Sequence, residues 1–284
     1  MTKKLPNCRL FPIFAREKSV CVIFRRGPSK WTQLILWNTE TDEITNGQWF
    51  KGRIYERRCD LSPDGTKLIY FAQKINSKTI NNDEYTYAWT AISKPPYLTA
   101  LALWAKGDCW HGGGLFHTNY TVFLNHKPEI AKPHPNHLPN GLKIIPNSAA
   151  CGEDDPIYSQ RLNRDGWNVV QEWKVNYEGS NKFYVTHQPE IREKINKNSN
   201  KIIQMERSLN ELNYEEKFVV KNKTNSLSIN EKGAWADFDQ YGRVTVFKEG
   251  KLFVEQNDLE LIELANFNIN KPEILESPEW AKHW

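Results

Sequence analysis

The sequence predicts an all-β fold, a single irregular β-propeller of about five blades spanning residues 1–284. Three observations carry that expectation. The first is a repeated phrase. Leu61-Ser62-Pro63-Asp64-Gly65 leads into the apolar run Leu68-Ile69-Tyr70-Phe71, and close echoes follow downstream. Leu162-Asn163-Arg164-Asp165-Gly166 precedes Val169-Val170, and Phe238-Asp239-Gln240-Tyr241-Gly242 precedes Val244-Thr245-Val246-Phe247. Each reads as a strand end, a polar turn and a second strand. Two weaker copies are Phe14–Lys18 before Val20–Phe24, and Leu115–Asn119 before Tyr120–Leu124. The second observation is spacing. Turn positions at Lys18, Gly65, Asn119, Gly166 and Gly242 step by 47, 54, 47 and 76 residues, against roughly 40–45 for a propeller blade. The third is the aromatic load of eleven Trp, eleven Tyr and thirteen Phe, large rings of the kind that fill the space between twisted sheets. A pair of β-sandwich-like domains divided near residues 126–158 is the alternative architecture.

In order along the chain, Val20–Phe24 is a continuous apolar run, as a strand covered on both faces requires. Arg25–Lys30 is a turn by its Gly-Pro content, Trp31–Trp37 the returning strand, and Asn38–Glu43 the next polar turn. Leu68–Ala72, a loop at Asn76–Asp83, Tyr85–Ile92 and Tyr97–Trp104 continue the meander. In the last module a Glu249-Gly250 turn joins Val244–Phe247 to Lys251–Val254, and Leu259–Leu264 supplies the outermost strand. Two stretches read as insertions. Residues 126–158 are rich in Pro, Asn and His, and residues 188–234 in Lys, Glu and Asn. Within the latter, strands are expected at Ile202–Arg207 and Phe218–Val220, and Glu193–Lys197 suits a turn of helix. At the end, Ser277-Pro278-Glu279-Trp280 predicts an N-cap and a short helix anchored by Trp280 and Trp284.

The net charge of +4 is uneven: residues 1–60 hold twelve Lys/Arg against six Asp/Glu. Arg25, Arg26, Arg57 and Arg58, with Lys30 and Arg53, make most of the excess, and Arg25, Arg26, Arg57 and Arg58 are the candidate nucleic-acid contacts. Charged edge strands that resist aggregation explain the same residues without a ligand. Cys8, Cys21, Cys59, Cys109 and Cys151 are scattered and odd in number, so neither a disulfide framework nor a zinc ribbon is expected. No export signal and no membrane-length apolar run is read, and a cytoplasmic protein with no membrane contact is the expectation.

The densest candidate ligand site is Lys106, Asp108, Trp110, His111, Gly112, Gly113 and Gly114. Consecutive glycines allow close backbone approach, free amides can hold an anion, and the tryptophan offers a stacking face. An inter-strand loop accounts for the same pattern. His117, His126, His134 and His137 match no zinc spacing, and no metal or cofactor is expected. No Gly-x-Ser-x-Gly elbow is present, and Glu153-Asp154-Asp155 reads as a solvated loop. No catalytic residues are assigned, and whether the chain is an enzyme stays open.

The stretch from Leu61 to Tyr70 resembles the blade motif of TolB-like and WD40-like β-propellers. The resemblance implies a fold and no particular function. The first functional expectation is a non-enzymatic binding or scaffold protein presenting propeller loops to a protein partner. The alternatives are an enzyme or small-ligand binder at the channel mouth, and nucleic-acid binding through the basic N-terminal blade.

Overall fold

The computed structural model describes residues 7–27, 30–147, 157–178, 183–211 and 213–284. The chain is all-β, with five sheets of mostly antiparallel strands and one α-helix among the described residues. It divides into two compact units. The first comprises residues 11–161 together with Asn270–Trp284, and the second Asn7–Leu10 together with Leu162–Ile269.

Sheet A is a meander of β1 (Arg9–Phe14), β2 (Val20–Arg26), β3 (Trp31–Asn38) and β4 (Ile44–Lys51). Sheet B holds β5 (Arg53–Ile54), β6 (Asp60–Leu61), β7 (Leu68–Gln73), β8 (Ala88–Ser93) and β9 (Ala102–Ala105); β5 and β6 both pair with β7. In sheet C, β10 (Gly114–Thr118) and β11 (Thr121–Leu124) form a hairpin, and β12 (Lys143–Pro146) adds to β11 in parallel. The unbroken apolar run of β7 has a packing reason. Leu68, Tyr70 and Ala72 join a core with Val22, Phe24 and Leu34 of sheet A. Ile69 faces the other way, onto Phe116, Val122 and Leu124 of sheet C. A strand covered on both faces leaves no position for a polar residue.

The first-hairpin turns of these three sheets meet. Glu17 N–H donates to Pro63 O (2.8 Å), Asp64 N–H to Asn119 Oδ1 (2.8 Å), and Asn119 Nδ2 to Glu17 Oε2 (3.2 Å). Asn119 therefore serves through its side chain. Its backbone, like that of Lys18, is not in the left-handed region, whereas Gly65 (φ 72°) and Gly242 (φ 78°) are. The Ser-Pro-Asp-Gly turn is braced internally: Asp64 Oδ1 accepts from Ser62 Oγ, Thr66 N and Thr66 Oγ1 at 2.5–3.0 Å. Partial burial disfavours the Asp64 carboxylate, but these donors outweigh it and hold the carboxyl below its ordinary value.

The Gly166 echo is not a hairpin. It follows α1 (Ile157–Arg164), and Gly166, at φ 91°, closes the helix. Gly166 N–H donates to Asn163 O (3.3 Å) and Trp167 N–H to Leu162 O (3.0 Å), the paired bonds of a Schellman cap. Both structures require a left-handed residue after a polar stretch, which is why the phrase recurs in both.

In the second unit, sheet D holds β13 (Asn168–Gln171), β14 (Lys174–Glu178), β15 (Phe183–Gln188), β16 (Glu190–Asn196), β17 (Lys201–Glu211), β18 (Asn213–Lys221) and β19 (Ser226–Ile229). Sheet E is a meander of β20 (Trp235–Phe238), β21 (Val244–Lys248), β22 (Lys251–Asn257) and β23 (Glu260–Asn266). Residues 193–196, expected to suit a turn of helix, are strand paired along β17. Every second residue of β17, namely Ile203, Met205 and Arg207, is buried, so the Lys/Glu-rich composition hides an ordinary alternating pattern. Trp167, Phe218 and Trp235 pack edge to face with centroids 5.4–6.2 Å apart. β23 is the outermost strand of its sheet, and Glu249-Gly250 turns β21 into β22 with both residues at positive φ.

A network of ions is buried in this unit. The Glu190 carboxylate accepts from Arg192 Nε (2.8 Å), Arg192 Nη2 (3.0 Å) and Arg207 Nη1 (2.7 Å). Burial opposes ionisation of Glu190, and the two guanidinium groups outweigh it, holding the carboxyl below its ordinary value.

The C-terminal segment is held to the first unit, with one difference from expectation. The helix is a single 3-10 turn, Glu279–Ala281, and Ser277 does not cap it. Ser277 Oγ instead meets Gln48 Nε2 (2.8 Å) and Thr99 Oγ1 (2.6 Å). Trp280 packs on Tyr97, and Trp284 Nε1 donates to Leu138 O (2.9 Å). Among the described residues no helix is long and apolar enough to cross a membrane.

Candidate anion-binding site

The chain crosses from sheet A to sheet B through Lys51-Gly52-Arg53, and strand register gathers cations around that crossing. Trp31 pairs across the strands with Lys51, Arg26 with Thr32, and Arg53 with Gln73. These residues, with Lys30, Lys74, Ile75 and Asn76, line a cavity of about 540 Å³. Its lining carries Arg26, Lys30, Lys51, Arg53 and Lys74, and no carboxylate. Arg26 lies 3.5 Å from Glu56, Arg53 stacks 4.4 Å over the Tyr55 ring, and Lys51 Nζ stands 5.7 Å from the Trp31 ring centroid. Lys30, Lys51 and Arg53 are exposed, so their charge is available at the mouth. A concave site with one sign of charge concentrates anions.

Of the four candidate nucleic-acid contacts read from the sequence, Arg26 lines this cavity and Arg25, Arg57 and Arg58 do not. Arg25 is buried, donates to the Gly27 and Asn270 carbonyls and lies over Trp49. Arg57 stacks on Tyr158 at 5.0 Å. Arg58 is fully buried, donating to Cys109 O (2.7 Å) and His111 O (2.6 Å) between the rings of Tyr55 and Phe71. Lys51, Lys74 and Trp31 carry no motif. Only the register that brings them to one crossing reveals them.

The Gly-rich loop lies beside this region. Gly112 N–H donates to Asn125 O and Gly113 N–H to Thr90 Oγ1, both at 2.8 Å, so these amides are engaged within the fold. The glycines answer to close packing: a Cβ on Gly113 would sit 1.9 Å from Arg58 O. Lys106 Nζ donates to Asp108 Oδ1 (2.7 Å), neutralising that charge, and Trp110 is 62% exposed. Asp108, Cys109 and Trp110 line a second cavity of about 370 Å³ with Gln73, Ile75, Ile80 and Tyr87.

Beneath the loop, His126 is fully buried with Nε2 2.8 Å from Thr90 Oγ1. Burial, then the charge of Lys106, pushes its pKa down to about 3 from an ordinary 6.5. A base whose folded pKa is depressed is neutral in the fold, so its contribution is complete above 6.5 and is lost as pH falls below it. At ~1.4 kcal/mol per pH unit, going from pH 7 to 5 should cost about 2 kcal/mol. Urea unfolding at both pH values should show this loss, reduced by that amount in His126→Gln. An unchanged pH dependence in the variant would refute the assignment.

His134 stacks on Tyr85 at 4.3 Å and bonds Glu84, and His137 Nδ1 lies 3.0 Å from Ala100 O. His117 packs on Phe123. Among the described residues no three His, Cys, Asp or Glu side chains are grouped as metal ligands. Cys8, Cys21 and Cys59 are buried thiols outside any disulfide and Cys109 is a partly exposed one; Cys151 and the Glu153–Asp155 carboxylates lie outside the described residues.

No family model matches the sequence, and no curated protein matches it. Among solved structures the chain is similar to the β-propeller domain of the trilobed protease from Pyrococcus furiosus, at 10% identity. That similarity covers 92% of this chain and 85% of the other, with a TM-score of 0.28.

Proposed function

We propose that this chain is a non-enzymatic binding protein on a five-bladed, propeller-like scaffold, and that its ligand is a polyanion held at the crossing between sheets A and B. The observation that carries the binding reading is the cavity lined by five cations and no carboxylate. The scaffold reading is supported by the five sheets and by the hydrogen-bonded meeting of the first three hairpin turns.

The test is titration of the protein with inorganic polyphosphate at low salt. Binding is expected, and the double reversal Lys51→Glu/Arg53→Glu should weaken it at least ~10-fold, since both charges are at the mouth. Raising salt should weaken it as well. No binding at low salt, or equal binding by the double variant, would refute the reading.

A further inference from the structure

The second cavity has no Lys or Arg in its lining, and the two share walls. Gln73 and Ile75 line both. On one side lie the cations and Trp31; on the other lie Ile75, Ile80, Tyr87 and Trp110, with Asp108 neutralised by Lys106. Trp110 is 62% exposed, so much of its ring is open to solvent. A ligand covering both compartments must be anionic in one part and flat and apolar in another.

We propose that the polyanion is a single-stranded nucleic acid. Its phosphates lie in the cationic cavity and its bases stack on Trp31 and Trp110, either side of the Gln73–Ile75 wall. This rests on the reading that the cationic cavity binds anions. A cationic groove with interspersed aromatic faces is the general solution for binding a strand without reading its sequence. Two ring platforms in two compartments suit successive nucleotides of a strand better than one free nucleotide. In a paired duplex the bases are stacked on one another, so they cannot reach the rings.

The experiment uses the full chain and compares a labelled dT12 or rU12 oligonucleotide, a duplex of the same length, free UMP and inorganic polyphosphate. The single strands are expected to bind more tightly than the duplex and UMP, with log affinity falling by ~0.7 per phosphate neutralised for each tenfold rise in salt. Trp110→Ala should lower oligonucleotide affinity about tenfold, the scale of one stacked base, and leave polyphosphate binding unchanged, while Trp31→Ala should lower oligonucleotide affinity more than polyphosphate affinity. Because Trp110 is exposed, its removal leaves the core intact, and an unchanged thermal melt confirms that.

Polyphosphate binding with no effect of either tryptophan on oligonucleotides would overturn this inference and leave the anion reading standing. A duplex bound as tightly as the single strand, or UMP bound as tightly as dT12, would also overturn it. Failure of every anion to bind would remove the underlying reading itself.

Discussion

Glu190→Ala is expected to destabilise the protein by about 3–5 kcal/mol, because it leaves two buried guanidinium groups facing each other without their shared anion. Glu190, Arg192 and Arg207 are each at most 5% exposed, so water cannot replace the carboxylate. Arg207 keeps a carboxylate, Glu216, at 3.5 Å, and Arg192 keeps Asn163 Oδ1. Neither reproduces the two-point bond that Arg192 makes to Glu190. Urea unfolding followed by tryptophan fluorescence measures the loss. Replacing Glu190, Arg192 and Arg207 together with methionine should recover much of it, since removing a whole buried network costs far less than removing one member. A single variant within about 1 kcal/mol of the parent would show that the network is solvated after all.

Arg58→Ala is the second large expected effect, again about 3–5 kcal/mol, from two losses at once. The buried side chain leaves a cavity between Tyr55 and Phe71. The carbonyls of Cys109 and His111 lose their donor. The melting temperature should fall by roughly 10 °C. Arg58→Lys should recover only part, since an ammonium cannot lie as a flat plate against the Tyr55 and Phe71 rings as the guanidinium does. A normal melt in Arg58→Ala would mean that the loop at 109–113 is held from elsewhere.

Arg58 also shows where reading the sequence stops. As half of an Arg57-Arg58 pair it looks like surface charge, and nothing local distinguishes it from its neighbour. Its burial is decided by a loop 51 residues away. The hairpin at Gly65 was legible because two independent signals agree there, a turn that demands a left-handed glycine and a strand apolar at every position. At Gly166 only the first signal was sound. The eight residues of α1 are too few for their 3.6-residue period to stand out, and the same closing glycine serves a helix. In β16–β18 the alternation was present, but lysine and glutamate on the open face masked it. The cationic cavity was half legible. Arg26, Lys30 and Arg53 stood out as charge excess, while Lys51, Lys74 and Trp31 needed the register of two sheets to join them.

The division of the chain between its two units has a consequence for how the protein is made. Residues 270–284 belong to the first unit, where Asn270 bonds Gln33 and Asn46, Ser277 meets Gln48, and Trp284 reaches Leu138. Residues 7–10 belong to the second, where Cys8 N–H donates to Asn268 Oδ1. On the ribosome, where domains tend to fold in order of emergence, the unit begun first is therefore completed last. Sheets A to C lack their last segment until the whole of the second unit has been translated.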